Sequence, residues 1–169
     1  MRRLIIMRHA KADRSSASGG DFDRPLTAQG RADAALVGRA LLATGLTPDL
    51  ALVSTSLRTR QTWEEVAKSF PDARLALNSA LYNGEEPQLR RSVADEDDLC
   101  ETLLLIAHNP GVHALAARLL NEANASASIM DRVEQNFPPA TAVAFEIDEG
   151  GRAHYDGLFF AADLGGAGD

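Results

Sequence analysis

Apolar and polar positions alternate along the chain in blocks that predict strands and helices in turn. Short, nearly continuous apolar runs occur at Leu4–Met7, Leu50–Val53 and Thr102–Ala107, and such runs are typical of strands buried on both faces of a parallel sheet. A weaker run lies at Leu75–Leu77. Because helical patterns separate these runs, the chain is predicted to form an α/β domain with a mainly parallel central sheet.

Helices are predicted between and after these strands, from apolar residues that recur at intervals of three and four positions. The first is expected to begin after Thr27, a good N-cap residue, and to end before Gly45. Pro71 is expected to end the second. The third is predicted to start at Asn83 as its N-cap, and the fourth at Asn109-Pro110.

The C-terminal third of the chain carries a hairpin signal and a stretch without a clear pattern. Residues 141–147 and 153–160 flank a Gly-Gly turn, which predicts a β-hairpin that adds an antiparallel strand at one edge of the sheet. Residues 121–139 read as a short helix and a loop. We expect a single domain over residues 1–160 and a flexible tail at 161–169.

Composition and charge exclude several classes of protein. The 169 residues are 45% hydrophobic and 24% charged, with a net charge of -7, and no basic face of the kind that nucleic acid requires is evident. The single cysteine, Cys100, cannot form an intramolecular disulfide. No apolar segment approaches the ~20 residues that span a bilayer. We therefore expect a cytoplasmic protein with no membrane or nucleic-acid partner, and the pattern leaves the oligomeric state open.

Clusters of polar side chains that could bind a ligand or take part in catalysis follow the three strongest strands. Arg8-His9 follows the first, residues 54–58 with Arg58 follow the second, and His108-Asn109 follows the third. Ligands of open parallel sheets bind beyond the carboxyl ends of the strands. If the three strands are neighbours, two histidines and two arginines converge there, and Arg24 can reach the same place from the loop after the first strand.

This combination of side chains suits an oxyanion such as phosphate. Arginine presents a rigid fork of donors that keeps its charge, and the helix that opens at Pro110 adds backbone N–H groups. A neutral imidazole can act as a nucleophile. A metal site is disfavoured because the neighbouring arginines would repel a cation. The clustering therefore predicts an oxyanion site and leaves the type of reaction open.

Four motifs carry a resemblance to a known family. Met7–Ala10 resembles the Arg-His-Gly signature of the histidine phosphatase superfamily, with alanine in the glycine position. Asp23–Thr27, followed by Gln29-Gly30, is similar to the next segment in the phosphohistidine phosphatase branch. Ser54–Thr62 resembles the Ser-x-x-x-Arg-x-x-Gln-Thr element, and Ala107–Gly111 is similar to the distal histidine motif. The motifs occur in the order expected for the family.

The resemblance implies a three-layer α/β/α sandwich of the phosphoglycerate-mutase type and a phosphatase that needs no metal or organic cofactor. His9 would attack phosphorus and become transiently phosphorylated, and water would then release the phosphate. The catalytic set that the resemblance implies is His9, His108, Arg8 and Arg58. The residues implied to contact the phosphoryl oxygens are Arg8, Arg24, Arg58, His108 and Asn109.

The general acid and the substrate stay open at this point. Superfamily members that cleave phosphate esters carry an acid after the third β element, where Glu85 and Glu86 lie, but carboxylates are also favoured at a helix N-terminus. A leaving imidazole needs a weaker acid than an alkoxide. The favoured substrate is thus a phosphohistidine-bearing protein. A small phosphorylated metabolite is the alternative, and a non-catalytic phosphate-binding module is a third reading.

Overall fold

The computed structural model describes residues 1–168 of the 169. Its strands are β1 (Arg3–Arg8), β2 (Leu50–Ser54), β3 (Arg74–Asn78), β4 (Thr102–Ala107), β5 (Ala142–Ile147) and β6 (Ala153–Phe159). Its α-helices are α1 (Ala28–Ala43), α2 (Leu57–Val66), α3 (Glu86–Ala94), α4 (Gly111–Glu122) and α5 (Ala127–Gln135). Short 3-10 helices lie between several of these elements, as at Asp21–Asp23 and Ser79–Leu81.

The six strands form one mixed sheet in the order β3-β2-β4-β1-β5-β6. The first four strands in this order run parallel, whereas β5 is antiparallel to β1 and β6 is antiparallel to β5. The mainly parallel sheet and the C-terminal hairpin are both confirmed. In register, Arg8 pairs with Ala107 and Val53 pairs with Ile106, so the carboxyl ends of β1, β4 and β2 lie side by side.

Helices cover both faces of the sheet and complete the predicted three layers. The face that packs on α1 and α2 buries a cluster with Ala34, Val37, Leu41, Trp63 and Val66. The face that packs on α3, α4 and α5 buries Leu89, Val93, Val112, Leu115 and Val133. None of the helices in residues 1–168 is long and apolar enough to cross a membrane.

The first helix is bounded as expected, but the third is not. The side chain of Thr27 accepts a hydrogen bond from a backbone N–H of the first turn of α1, and Gly45 follows the C-cap with a φ of +76°. The N-cap of α3 is Glu85, so the prediction of Asn83 was wrong. An N-cap needs an extended backbone, whereas Asn83 has a φ of +55° and belongs to the preceding turn, a conformation that asparagine tolerates.

The stretch 121–139 contains the end of α4, the helix α5 and a partly buried loop. Val133 in the helix is 0% exposed and Phe137 beyond it is 1% exposed, so both belong to the core cluster below α4. The loop after the helix then runs past the carboxyl end of β1, where the backbone N–H of Arg8 donates to the carbonyl of Thr141 at 3.0 Å. A segment without a clear pattern thus helps to build the region where ligands are expected.

The end of the chain makes defined contacts with α1. The backbone N–H groups of Ala167 and Gly168 donate to the carboxylate of the buried Asp33 at 3.2 and 3.1 Å. Asp169 lies outside the described residues. The flexibility expected for residues 161–169 stays a prediction, which the exchange rates of these two amide protons would test.

Gly111 fixes the approach between the start of α4 and the turn before α3. A Cβ at this position would lie 2.1 Å from the carbonyl oxygen of Gly84 and 2.9 Å from Leu89. Gly111→Ala is therefore expected to lower the free energy of unfolding by about 1–3 kcal/mol, the usual cost of overpacking, as measured by urea denaturation. Gly20→Ala is the matched control, because its Cβ meets nothing closer than 3.5 Å. Equal stability of the two variants would contradict the steric argument.

Candidate active site

The aligned ends of three strands bring His9, His108 and Arg58 together. His9 directly follows β1, His108 directly follows β4, and Arg58 lies in the first turn of α2 beyond β2. The two imidazole rings are 5.2 Å apart between centroids, and Nε of Arg58 donates to Nε2 of His9 at 3.3 Å. The convergence expected from the strand order is therefore present in the structure.

The hydrogen bonds of His9 assign its tautomer. Its Nδ1 lies 2.7 Å from the carbonyl oxygen of Ala10, and because a carbonyl can only accept, Nδ1 must carry the hydrogen. The backbone N–H of Ala10 in turn donates to Oγ1 of Thr62 at 3.0 Å, which fixes the position of this segment. Nε2 of His9 is left with a lone pair, the state that a nitrogen nucleophile requires.

The surroundings also keep His9 uncharged. Burial lowers the pKa of His9 to about 3, the hydrogen bond to Ala10 opposes this change, and the charges of a protonated His108, of Arg58 and of Arg8 lower the pKa further. At neutral pH the imidazole is thus neutral and its lone pair is available. Burial is the main cause of this state, and the neighbouring cations add to it because they disfavour a further positive charge.

His108 is also buried and neutral. Its Nε2 lies 2.9 Å from Oγ of Ser54, while its Nδ1 is buried and has no hydrogen-bond partner among the described residues. Burial, then the charge of Arg58, lowers the pKa of His108 to about 4. If the Ser54 hydroxyl donates to Nε2, Nδ1 carries a hydrogen that is available to a ligand.

Arg8 and Asn109 share a backbone acceptor from the loop after α5. A terminal nitrogen of Arg8 donates to the carbonyl of Phe137 at 2.9 Å, and the amide of Asn109 donates to the same carbonyl at 3.1 Å. Nε of Arg8 and Oδ1 of Asn109 are buried without a partner in the described chain. Sequence reasoning missed Phe137, because its contribution is a backbone carbonyl that leaves no side-chain signal.

Arg24 is linked to His9 through Asp21 and then Arg58. Its Nε donates to the carbonyl of Asp13, and a terminal nitrogen donates to Oδ1 of Asp21 at 2.9 Å. Asp21 also accepts through Oδ2 from Arg58 at 3.1 Å and from the hydroxyl of Tyr82 at 2.9 Å. The contact of Arg24 with a phosphoryl group stays a prediction, and the structure instead links it to Arg58 through Asp21.

Asp21 and Tyr82 contact the cluster, although neither was predicted to be a site residue. The hydrogen bonds from Arg24 and then from Tyr82 lower the pKa of Asp21 to about 2. The ring of Tyr82 meets the ring of His108 edge to face at 5.6 Å, and the guanidinium of Arg58 lies 5.9 Å from the Tyr82 ring centroid. The pair therefore forms one edge of the cluster around His9.

The two glutamates considered as general acids lie at the start of α3. Glu85 is the N-cap of that helix, and the carboxylate of Glu86 forms an ion pair with Arg118 of α4 at 3.4 Å. Within residues 1–168 neither carboxylate has a hydrogen bond or ion pair with His9 or His108. The structure does not bring these glutamates to the two histidines, so their role as an acid stays a prediction.

Acidification is expected to destabilise the fold through His9 and His108. Both pKa values lie below the unfolded value of about 6.5, at about 3 and about 4, so the unfolded chain takes up protons first as the pH falls. The free energy of unfolding should then decrease below pH ~6.5, by up to about 1.4 kcal/mol per pH unit for each histidine. Urea denaturation at several pH values between 4 and 7 measures this slope.

His108→Gln should make the slope shallower, because one of the two histidines with a lowered pKa is gone. His154→Ala is the control, since His154 is half exposed and pairs with Asp148 at the surface. A slope in the His108 variant equal to that of the wild type would contradict the assignment of His108 as a buried, neutral histidine.

Comparisons with known proteins agree with this architecture. Residues 4–82 match the sequence profile of the histidine phosphatase superfamily (branch 1). An uncharacterized protein of Mycobacterium tuberculosis is 33% identical over 132 residues, which cover 78% of this chain and 81% of the relative. A SixA structure from Nakamurella multipartitia is 26% identical, covers 94% of this chain and 95% of its own, and superposes with a TM-score of 0.80.

The protein histidine phosphatase SixA in complex with tungstate is a further similar structure. It is 24% identical, with coverage of 96% of this chain and 99% of its own and a TM-score of 0.78. The matched segment 4–82 contains His9 and Arg58, and the shared fold extends to the region of His108. From its motifs, its sheet and these similarities, the chain belongs to the histidine phosphatase superfamily (branch 1) and resembles the SixA phosphohistidine phosphatases.

Proposed function

We propose that the chain removes phosphate from phosphohistidine on another protein, with His9 as the nucleophile and without a metal. The observation that carries the proposal is the state of His9: a partly buried, neutral imidazole whose Nε2 lone pair lies beside Arg58. SixA in complex with tungstate is a relative that holds an oxyanion, which supports an oxyanion site here. A cytoplasmic location stays a prediction.

The first step transfers the phosphoryl group to His9. The lone pair of Nε2 attacks phosphorus, the P–N bond of the substrate breaks, and its electron pair returns to the leaving imidazole nitrogen. Nε of Arg8, the guanidinium of Arg58 and Nδ1 of His108 are the donors that would stabilise charge on the phosphoryl oxygens. Such transfers depend mainly on positioning and electrostatic stabilisation, which this set supplies.

The second step returns the enzyme to its starting state. Water attacks the phosphorus of phospho-His9, the new P–N bond breaks, and the electron pair goes back to Nε2 while the protons of water leave with the phosphate and solvent. The hydrogen bond from Nδ1 to Ala10 keeps the other ring nitrogen protonated. His9 can therefore leave as neutral imidazole without a separate acid.

In the described part of the chain, no protonated carboxyl group beside the two histidines can serve as a general acid. A phosphohistidine substrate does not need one. An alkoxide leaving group needs a proton donor, whereas Asp21 is ionised and Glu86 is paired with Arg118. An imidazole whose second nitrogen carries a proton leaves as a neutral molecule. This difference favours P–N cleavage over hydrolysis of small phosphomonoesters.

The proposal is tested by comparing the turnover of a histidine-phosphorylated protein with the turnover of a panel of phosphate esters. The panel contains phosphotyrosine and phosphoserine peptides and a sugar phosphate, all assayed with chelator present. We expect kcat/KM for the phosphohistidine protein to exceed that of every ester by a factor of about 10 or more. Faster ester hydrolysis would move the substrate to small phosphomonoesters, and phosphate binding without any turnover would leave a binding module.

A further inference from the structure

One edge of the candidate active site is built from an acidic side chain and two aromatic rings. Asp21 and Phe22 belong to the 3-10 helix Asp21–Asp23, and Tyr82 follows the 3-10 helix Ser79–Leu81. The rings of Phe22 and Tyr82 meet edge to face, with centroids 5.0 Å apart. The proposed transfer to His9 assigns no role to this edge, which is nonetheless connected to the nucleophile through Arg58.

The carboxylate of Asp21 is fixed but not saturated. It accepts hydrogen bonds from Arg24, Arg58 and Tyr82 at 2.9, 3.1 and 2.9 Å. An ionised carboxylate has about four acceptor positions, so these bonds leave about one unused, and the side chain is 50% exposed. Because Arg58 contacts His9 through Nε and Asp21 through a terminal nitrogen, one guanidinium group separates the acceptor from the nucleophile.

The chemistry of this edge selects the group that can bind there. Asp21 stays anionic, since hydrogen bonds from Arg24 and Tyr82 lower its pKa to about 2, and an anion accepts a hydrogen but cannot supply one. Phe22 is 37% exposed and offers an apolar ring surface beside it. A flat ring that carries an N–H group complements both features.

We propose that Asp21, Phe22 and Tyr82 form a subsite for the leaving imidazole of a phosphohistidine. The carboxylate of Asp21 accepts the hydrogen of the ring nitrogen that carries no phosphorus, Phe22 packs on the ring, and Tyr82 holds the carboxylate in place. When the P–N bond breaks, its electron pair moves to the ring nitrogen that carried the phosphorus. The other ring nitrogen keeps its hydrogen, which stays hydrogen-bonded to the carboxylate of Asp21. This inference rests on the proposed function and assigns its selectivity to named residues.

The same subsite disfavours phosphate esters. The phenol ring of a phosphotyrosine has no N–H group for Asp21, and the negative charge that develops on its leaving oxygen would be repelled by the carboxylate. The leaving group of a phosphoserine has neither a ring nor an N–H donor. Asp21 therefore both attracts the P–N substrate and acts against the P–O substrates.

Asp21→Asn tests the subsite through a ratio of two substrates. We expect kcat/KM for a histidine-phosphorylated protein, divided by kcat/KM for a phosphotyrosine peptide, to fall by a factor of about 10 or more, the usual value of a charge-assisted hydrogen bond. Asparagine retains the size and an acceptor for Tyr82 but loses the charge. If the substitution also loosens Arg58, kcat/KM falls for both substrates, and this effect cancels in their ratio.

Two further variants complete the test. Asp23→Asn is the matched control, because Asp23 lies in the same 3-10 helix but accepts from Ser18, and it should leave the ratio unchanged. Phe22→Ala should raise KM for the phosphohistidine protein and lower the ratio in the same direction. If kcat/KM fell by the same factor for both substrates in Asp21→Asn, the subsite would be overturned and Asp21 would be a residue that positions Arg58.

The proposed function can fail separately. If the wild-type protein hydrolyses the esters but not the phosphohistidine protein, the substrate assignment is wrong before any variant is made, and the subsite is overturned with it. If the wild type prefers phosphohistidine and Asp21→Asn keeps that preference, only the subsite is wrong.

Discussion

His9→Ala is expected to lower phosphatase turnover by a factor of about 10⁴ or more, because no other group can accept the phosphoryl group in its place. The Nε2 lone pair of this imidazole accepts a hydrogen bond from Arg58, while its Nδ1 carries the hydrogen. Single-turnover measurement of phosphate release, with the enzyme in excess over the phosphohistidine protein, gives the value most directly. Binding of inorganic phosphate should change much less than turnover, because Arg8, Arg58 and His108 remain.

His154→Ala is the control for that variant. It removes a half-exposed histidine whose partner is Asp148, far in sequence from every motif of the site, and it should keep wild-type activity. If His9→Ala retained more than about a tenth of wild-type turnover, less than a 1.4 kcal/mol change in the barrier, His9 would not be the nucleophile.

Arg58→Ala is expected to lower kcat/KM by a factor of about 10³. Arg58 is buried, with 6% of its side chain exposed, and it contacts His9 through Nε and Asp21 through its other nitrogens. Its loss removes a phosphoryl ligand and leaves Asp21 with one cationic partner fewer. Arg58→Lys keeps the charge but not the fork of donors, and it should recover only a small part of the activity.

Arg60→Ala provides the matched control for the arginine variants. Arg60 lies in the same helix as Arg58 but is exposed, so its removal should change kcat/KM by less than a factor of about three. If Arg58→Ala and Arg60→Ala had the same small effect, Arg58 would not act on the reaction.

The central part of the fold could be predicted because its strands are buried on both faces. The residues of β1, β2 and β4 form short apolar runs, and their burial is nearly complete. Strand β3 gave a weaker signal for a physical reason: it is an edge strand, and Leu75 and Leu77 are 48% and 50% exposed. An apolar pattern therefore predicts the strands that are buried on both faces at the centre of the sheet better than a strand that is exposed at its edge.

The cluster around His9 could be predicted for a related reason. His9 and His108 each follow directly on a strand and Arg58 lies in the first helical turn after one, so the alignment of the strands positions these side chains. Residues in loops are different, because no periodicity gives the direction of their side chains. Arg24 was expected at the phosphate but lies against Asp21. Asp21 in turn pairs with Arg58, which is 37 positions away from it in the sequence.

Backbone groups and turn geometry account for most of the features that could not be predicted from the sequence. The carbonyl of Phe137 holds Arg8 and Asn109, and a carbonyl is common to every residue. Asn83 resembled a helix N-cap but adopts a left-handed backbone, a choice that depends on how the turn packs on α4. Tyr82 was missed because an aromatic residue beside an apolar stretch usually indicates core packing.

Trapping of the phosphorylated enzyme tests the central claim most directly. The protein is mixed with a radiolabelled phosphohistidine protein, quenched in alkali within the first turnover, and digested to locate the label. We predict an acid-labile label on the peptide that contains His9, formed before phosphate is released and absent from His9→Ala. Phosphate release without any labelled enzyme, or a label on a peptide without His9, would contradict the account.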